Sequence, residues 1–328
     1  MEDLRLFSQD ELQAKIDLKP FKAKEIFRFI HQKLGTNLDD LTTIKLAERE
    51  MLKEKFFISN LTPAKVQKDS QTEKVTFKLE DGSIIETVFM DNDNERKTVC
   101  ISSQVGCPVA CEFCATGKLG FSRNLTVAEI LSQVYYFANE YRISNIVFMG
   151  MGEPFLNYEN VLKAGKILNN ALGLNIAARK LVYSTVGIVA GIKKFSQEKE
   201  QFRFSWSLAA PFDEARIKLI PFSGLKPIKE TINVIKDYQN KTKRRVTIEY
   251  VLLQGINDSQ QDLEELAKIA GSIDSHINLI AYNQSPGSKL RSGNVEAAFQ
   301  ALKKHKLVVT VRRSYGQKIS AACGQLAG

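Results

Sequence analysis

Apolar and polar positions change rhythm twice along this chain. Over residues 1–60 they recur at helical spacing. Ser8 and Glu11 make a capping-box pattern ahead of Leu12 and Ile16. A segment after Pro20 sets Phe21, Ile26, Phe27, Phe29 and Ile30 among Lys22, Lys24, Arg28 and Lys33, and a third over 41–57 carries Leu41, Ile44, Leu52 and Phe56. Three helices sharing a small core are predicted, with basic faces that are either merely solvated or contact phosphate. Over 75–90 the rhythm turns to that of strands, V-T-F-K-L-E and I-I-E-T-V-F-M around Asp81-Gly82, a hairpin signal. Glu86 shares its strand face with Val88 and Met90; a glutamate facing water from an edge strand is the ordinary account of such a position.

After Lys97, β-rich runs at 99–103, 145–149, 181–185, 203–208, 246–252, 277–281 and 307–312 alternate with amphipathic stretches at 126–141, 158–172, 228–240, 260–270 and 295–304. Such alternation predicts an α/β fold of parallel strands joined by right-handed crossovers. Periodicity alone does not separate an open doubly wound sheet from a closed or partial barrel. In a barrel the chemistry sits at the C-terminal strand ends.

The 328 residues are 44% hydrophobic and 25% charged, enough for one large domain and a small one. No stretch approaches the roughly 20 apolar residues of a membrane span, and the opening M-E-D-L-R-L-F-S-Q-D is too acidic for a signal peptide. A cytoplasmic protein with no membrane association is expected, in a compartment where clustered thiols hold metal or do chemistry. A net charge of +9 admits an anionic macromolecule as partner without requiring one.

Four of the five cysteines lie between Cys100 and Phe121, and Cys107, Cys111 and Cys114 form a C-x3-C-x2-C run. Three thiolates from one loop leave a position unfilled, which points to an iron–sulfur cubane with one open iron. A structural zinc site wants four closed ligands. His31, His276 and His305 show no ligand spacing to the run, so zinc would need Cys100 or Cys323. Beyond strand 145–149 comes Gly150-Met151-Gly152-Glu153-Pro154, where glycines admit a ligand and Glu153 can take an ammonium; a plain glycine turn explains it about as well. Ser184, Ser207 and Asn283 stand at or just past successive strand ends, and Cys323 lies alone among small residues, ordinarily the mark of buried filler.

The cysteine run, with Phe113 before its last member, resembles the signature of the radical S-adenosylmethionine (SAM) enzymes. With F-x-R-N-L-T, F-M-G-M-G-E-P, V-T-I-E-Y-V-L-L, I-N-D and the terminal A-A-C-G-Q-L-A-G, the chain as a whole resembles the RlmN/Cfr family of radical-SAM adenosine methyltransferases. The resemblance implies a partial (β/α) barrel over 97–328 with a catalytic C-terminal loop, a helical RNA-docking domain over 1–60, and a β-hairpin linker over 61–96 that carries Glu86. It implies a [4Fe-4S] cluster on Cys107, Cys111 and Cys114, two SAM per turnover, and SAM-binding positions at Gly152, Glu153, Ser184, Ser207, Leu208, Ala209 and Asn283. Cys323 would accept a methyl group, Cys100 would resolve the protein–RNA adduct through a transient disulfide, and Glu86 would accept a proton, its basicity raised by a mostly apolar setting.

The implied substrate is carbon 2 of an adenosine in 23S rRNA and in the tRNA anticodon loop, with an electron donor such as flavodoxin and a monomeric enzyme. Basic stretches at 241–245, 303–306 and 312–313 are candidates to hold phosphate. Methylation of carbon 8 is the rival within the family, Pro154 favouring carbon 2; a non-catalytic, metal-stabilised RNA-binding protein is the rival outside it. The chain departs from the family pattern at Ala209, where relatives carry histidine, at Gln317, Lys318 and Ser320 before the terminal A-A-C, and at Ile220-Pro221-Phe222-Ser223.

Overall fold

A computed structural model describes residues 1–92, 96–285 and 287–327. The N-terminal segments fold as helices α1 (Gln9–Lys15), α2 (Pro20–His31) and α3 (Leu46–Lys55). The capping box of α1 forms in both directions, Ser8 N–H donating to Glu11 Oε2 at 2.7 Å and Glu11 N–H to Ser8 Oγ at 3.3 Å. The third helix starts later than its spacing predicts, because residues 42–44 form a turn between a short 3-10 turn at Leu38–Asp40, capped by Asn37, and the helix itself. Leu41 and Ile44 are buried all the same. Turns, like helices, bring residues three apart to one side, so the pattern is shared.

Three antiparallel strands follow, β1 (Thr62–Asp69), β2 (Thr72–Lys78) and β3 (Ile84–Asn92), and β3 pairs antiparallel with β4 (Arg96–Cys100). The turn at Asp81-Gly82 is where the sequence predicts it, with Gly82 at φ 83°. Strand β1, T-P-A-K-V-Q-K-D, is mostly exposed and lacks an apolar alternation, as a lysine-bearing edge strand does; periodicity therefore predicts only its two inner neighbours.

From β4 the chain alternates α4 (Val127–Ala138), β5 (Asn145–Phe148), α5 (Tyr158–Asn169), β6 (Leu181–Thr185), α6 (Val189–Phe195), β7 (Arg203–Ser207), α7 (Asp213–Leu219), α8 (Ile228–Thr242), β8 (Val246–Leu252), α9 (Gln260–Gly271), β9 (Ser275–Ala281), α10 (Val295–Lys303) and β10 (Val309–Arg312). These ten strands form one sheet in sequence order, parallel from β4 onward, while two short strand pairs, Glu2–Asp3 with Phe56–Phe57 and Gln104–Gly106 with Phe121–Asn124, stand apart from it. A doubly wound sheet reverses its order at a switch point. With no reversal, each crossover covers the same face, and residues from every strand between β3 and β10 line one interior cavity. The result is a partial barrel, with β1 and β10 as unjoined edges.

Helix α4 joins the N-terminal unit to the barrel. Its inner face buries Ile130, Leu131 and Val134, worth about 1.5–3 kcal/mol for each large apolar side chain. Its other face meets Arg5, whose Nη1 donates to Ser132 Oγ at 2.6 Å, and His31, whose Nδ1 lies 2.6 Å from the Tyr135 hydroxyl. Among the described residues no helix is long and apolar enough to cross a membrane.

Burial, with Arg5 adding to it, holds the His31 imidazole down at about 3 from the ordinary 6.5. The ring is neutral in the fold, while the unfolded chain takes up a proton below its ordinary value. This contribution to stability is present in full above pH 6.5 and is lost as pH falls toward 3, by about 2 kcal/mol at pH 5. Urea unfolding at pH 7 and pH 5 checks it. The His31→Phe variant is expected to be weaker at pH 7, where Tyr135 loses a partner, and to show a pH 7-to-5 decline smaller by about that amount. Equal declines in both proteins would remove His31 as the source.

Candidate active site

The cysteine loop leaves the barrel just past β4. It is pinched shut where Cys107 N–H donates to Gly120 O at 2.8 Å, so closely that a Cβ on Gly106 would lie 1.9 Å from that oxygen. Inside the loop Ala110 adopts φ 55°, and the N–H groups of Val109 and Ala110 face the Cys107 sulfur. Cys107, Cys111 and Cys114 line a cavity of ≈ 150 Å³.

The C-terminal strand ends complete that cavity. After β5, Gly152 at φ 100° packs so tightly that a Cβ would lie 2.6 Å from Gln104 Cβ. Glu153 follows it, its N–H donating to Gln104 Oε1 at 2.8 Å. Its carboxylate accepts the N–H of Phe155 at 3.0 Å and of Val186 at 2.9 Å; burial still pushes it up to about 7. Ser184 and Ser207, at the ends of β6 and β7, lie with hydroxyls 3.2 Å apart. Ala209 lines the cavity at φ 64°, its carbonyl accepting Asn257 Nδ2 at 2.6 Å. Asn283 and Cys323 close the ring, the Asn283 amide donating to Cys323 O at 3.2 Å. Leu208 does not line it; its side chain is fully buried and its N–H donates to Glu249 O at 3.2 Å.

A second cavity, ≈ 1290 Å³, fills the barrel interior and shares Met149, Glu249, Arg312 and Cys323 with the first. Cys100 lines it. Arg96, Arg179, Arg203, Lys243, Arg244 and Arg245 gather where the strands begin, and Arg312 and Arg313 at the opposite end. Of the basic stretches seen in the sequence, 243–245 and 312–313 thus border the cavity, whereas 303–306 do not. A chain of polar contacts climbs its wall. His276 Nε2 lies 2.7 Å from Thr310 Oγ1, which donates to Asn278 Oδ1 at 3.1 Å; Asn278 Nδ2 donates to Glu249 Oε2 at 2.9 Å, and Arg312 Nη1 stands 3.7 Å from that same oxygen. At its top, burial pushes the Cys100 thiol up to about 12, Cys323 adding to the shift and Arg312 opposing it. Cys323 is open to the cavities rather than buried, yet the walls around it still raise its thiol, again against Arg312.

Glu86 lines neither cavity and is not in the apolar setting expected of it. It is buried, with Oε1 at 2.8 Å from Lys74 Nζ and Oε2 accepting Ala327 N–H at 2.9 Å. The strand pattern cannot reveal this, since Lys74 reaches Glu86 across the sheet from a neighbouring strand. Lys74 and Glu249 are the site residues that sequence reasoning passes over; Arg312, read there only as a candidate to hold phosphate, also acts on both Cys100 and Cys323. The one available signal is charge inside a strand whose neighbours are apolar, as for Glu249 in V-T-I-E-Y-V-L-L.

The donor set fits an iron–sulfur cluster. Three soft thiols share one cavity, and backbone N–H groups face the sulfur of one of them.

A family profile described as the Radical SAM superfamily matches residues 101–269. Two proteins described as probable dual-specificity RNA methyltransferase RlmN, from Clostridium novyi and Thermotoga maritima, are 39% and 41% identical to this chain, each alignment covering 99% of it and 98% and 97% of the relative. The crystal structure of a radical SAM methyltransferase from Sphaerobacter thermophilus superposes with a TM-score of 0.94 at 38% identity over 99% of both chains. Matched end to end in sequence and in fold, the chain belongs to the RlmN family of RNA methyltransferases within the radical SAM superfamily.

Proposed function

We propose that this enzyme methylates carbon 2 of an adenosine, in 23S rRNA of the peptidyl-transferase region and in the tRNA anticodon loop, with Cys323 carrying the incoming carbon. The observation behind this reading is the position of Cys323, which borders the cysteine-loop cavity on one side and the basic cavity with Cys100 on the other. The relatives' description as dual-specificity RNA enzymes supports two RNA substrates.

Superfamily membership implies a [4Fe-4S] cluster and SAM. Cys107, Cys111 and Cys114 would hold the cluster; Gly152, Glu153, Ser184, Ser207, Ala209 and Asn283, backed by Leu208, would hold SAM. When bound, these groups supply a methyl group from one SAM and a 5′-deoxyadenosyl radical from another, as a ring carbon that is no nucleophile requires. The Cys323 sulfur takes the methyl as a thioether and, after loss of one hydrogen atom, its methylene joins the ring carbon and tethers the RNA. Glu86 takes the ring proton as the adduct gives up one electron, for which the cluster, when bound, would be the acceptor. Cys100, as thiolate, then attacks the Cys323 sulfur. The S–S bond forms, the S–C bond breaks with its electron pair passing to carbon, and that carbon takes up a proton to become the methyl group. Arg312 favours the thiolate form of both cysteines against desolvation.

The target base must leave its stack to reach Cys323, and the arginines of the large cavity suit the phosphates that follow it. Residues 1–60 form the RNA-docking unit, 61–96 carry Glu86, and 97–328 perform the chemistry. The enzyme works as a cytoplasmic monomer fed by a donor such as flavodoxin.

Anaerobic purification tests the core of the reading. The wild-type protein is expected to be brown, to contain iron and sulfide, and to release 5′-deoxyadenosine from SAM under reductant, whereas Cys111→Ala does none of these. A colourless zinc protein that leaves SAM intact after cluster reconstitution would overturn it. Cys100→Ala is expected to stall after tethering, leaving at most one RNA bound per enzyme as a ribonuclease-sensitive band on denaturing gels; Cys323→Ala shows no such band, and free product from Cys100→Ala would dismiss Cys100 as the resolving thiol. Mass spectrometry of digested rRNA against both isomer standards is expected to show 2-methyladenosine, and an 8-methyladenosine product would reverse the choice of ring carbon.

A further inference from the structure

One buried ion pair holds the terminal segment at both ends. Lys74 on β2 and Glu86 on β3 are diagonal neighbours, Glu86 lying opposite Thr76 and Lys74 opposite Val88. Their side chains are 7% and 5% exposed and meet at 2.8 Å. The same ammonium donates to Ser320 O at 3.3 Å, and the second carboxylate oxygen accepts Ala327 N–H at 2.9 Å. Between these anchors the chain turns, Gln325 N–H donating to Ala322 O at 3.0 Å, with Cys323 and Gly324 in the turn. Thr76 Oγ1, 3.4 Å from Glu86 Oε1, and Met151, whose sulfur meets the Glu86 N–H at 3.3 Å, complete the surroundings. No other ion pair is formed by either residue among the described residues.

We propose that the Lys74–Glu86 pair is a latch that sets where Cys323 stands, with Lys74 a positioning residue of the methyl transfer. While the pair is charged, both ends of the segment are tied and Cys323 stays at the junction of the two cavities. When Glu86 takes a proton, the buried ammonium loses its counter-charge and the Ala327 amide is left with a weaker acceptor. Both ties then weaken together, and the segment gains the freedom that lets Cys323 meet Cys100. The order of events follows from this wiring: resolution is held back until the ring proton has left. The coupling rests on the reading of Glu86 as proton acceptor given above; the latch itself does not.

The test uses the full-length, cluster-loaded enzyme without RNA. Hydrogen exchange of the amides of residues 321–327 and the rate at which diamide forms the Cys100–Cys323 disulfide are compared in wild type, Lys74→Met and Lys74→Arg. In Lys74→Met the tail is expected to exchange about tenfold faster, the change that loss of a hydrogen bond to a charged group brings, and the disulfide to form faster by a similar factor. Lys74→Arg, which keeps the charge, restores both. Exchange and disulfide rates in Lys74→Met equal to those of wild type would overturn the latch. Should Lys74→Met fail to fold because Glu86 is left unpaired, Lys74→Met with Glu86→Leu replaces the whole pair by apolar side chains; a loosened tail there supports the latch and a wild-type tail overturns it. Failure of Glu86 as proton acceptor is a separate result, seen as free methylated RNA from Glu86→Gln, and leaves the tail readouts standing.

Discussion

Backbone polar groups that leave water must find partners inside the protein, and the way segment 320–327 meets that demand determines the site. Its carbonyls accept from the cysteine loop, Gly324 O from Ala115 N–H at 2.8 Å and Leu326 O from the Thr116 hydroxyl at 2.6 Å. The Gln325 amide donates to Gln284 O at 2.9 Å, beyond β9. The Ala327 amide goes to Glu86 at 2.9 Å, on the antiparallel strands. Three regions far apart in the chain are thereby fastened to the one turn that carries Cys323. No apolar packing of so small a set of side chains, Ala321, Ala322 and Leu326, would place a sulfur with that definition.

The sheet makes this convergence possible. Because the strands follow one another without reversal, their C-terminal ends face one way and their starting ends the other. Cysteine loop, Glu153, Ser184, Ser207 and Asn283 collect at the first, and Arg179, Arg203 and Arg244 at the second. The interior between them is polar, and the contacts from His276 through Thr310, Asn278 and Glu249 to Arg312 satisfy groups that would otherwise be stranded. Strands β1 to β3 extend the sheet past its parallel part, and they bring Lys74 and Glu86 under the terminal segment.

Much of this is legible in the residues, for identifiable reasons. Asp81-Gly82 marks its turn because the backbone there needs φ of 83°, which glycine adopts without strain. Ser8 with Glu11 marks a helix start because the pair caps locally. The cysteine run declares its chemistry because three thiols so close in sequence must be close in space. The stretch 41–57 misleads, since a turn and a helix bury residues three apart alike. Glu86 misleads more, since its neighbours along the strand are apolar while its partner lies on another strand.

The sequence therefore carries whatever arises from neighbours along the chain: the helical and strand periods, the caps, the hairpin, the cysteine loop and the glycines that admit close approach. Folding adds what depends on residues brought together across the sheet. The pairing of Lys74 with Glu86, the nearness of Arg312 to both Cys100 and Cys323, the basic cavity gathered from the starts of separate strands, and the anchoring of the terminal turn all join positions about a dozen to more than two hundred residues apart. Local periodicity has no record of such distances. They are fixed by strand order and by the requirement that buried charge and buried backbone find partners.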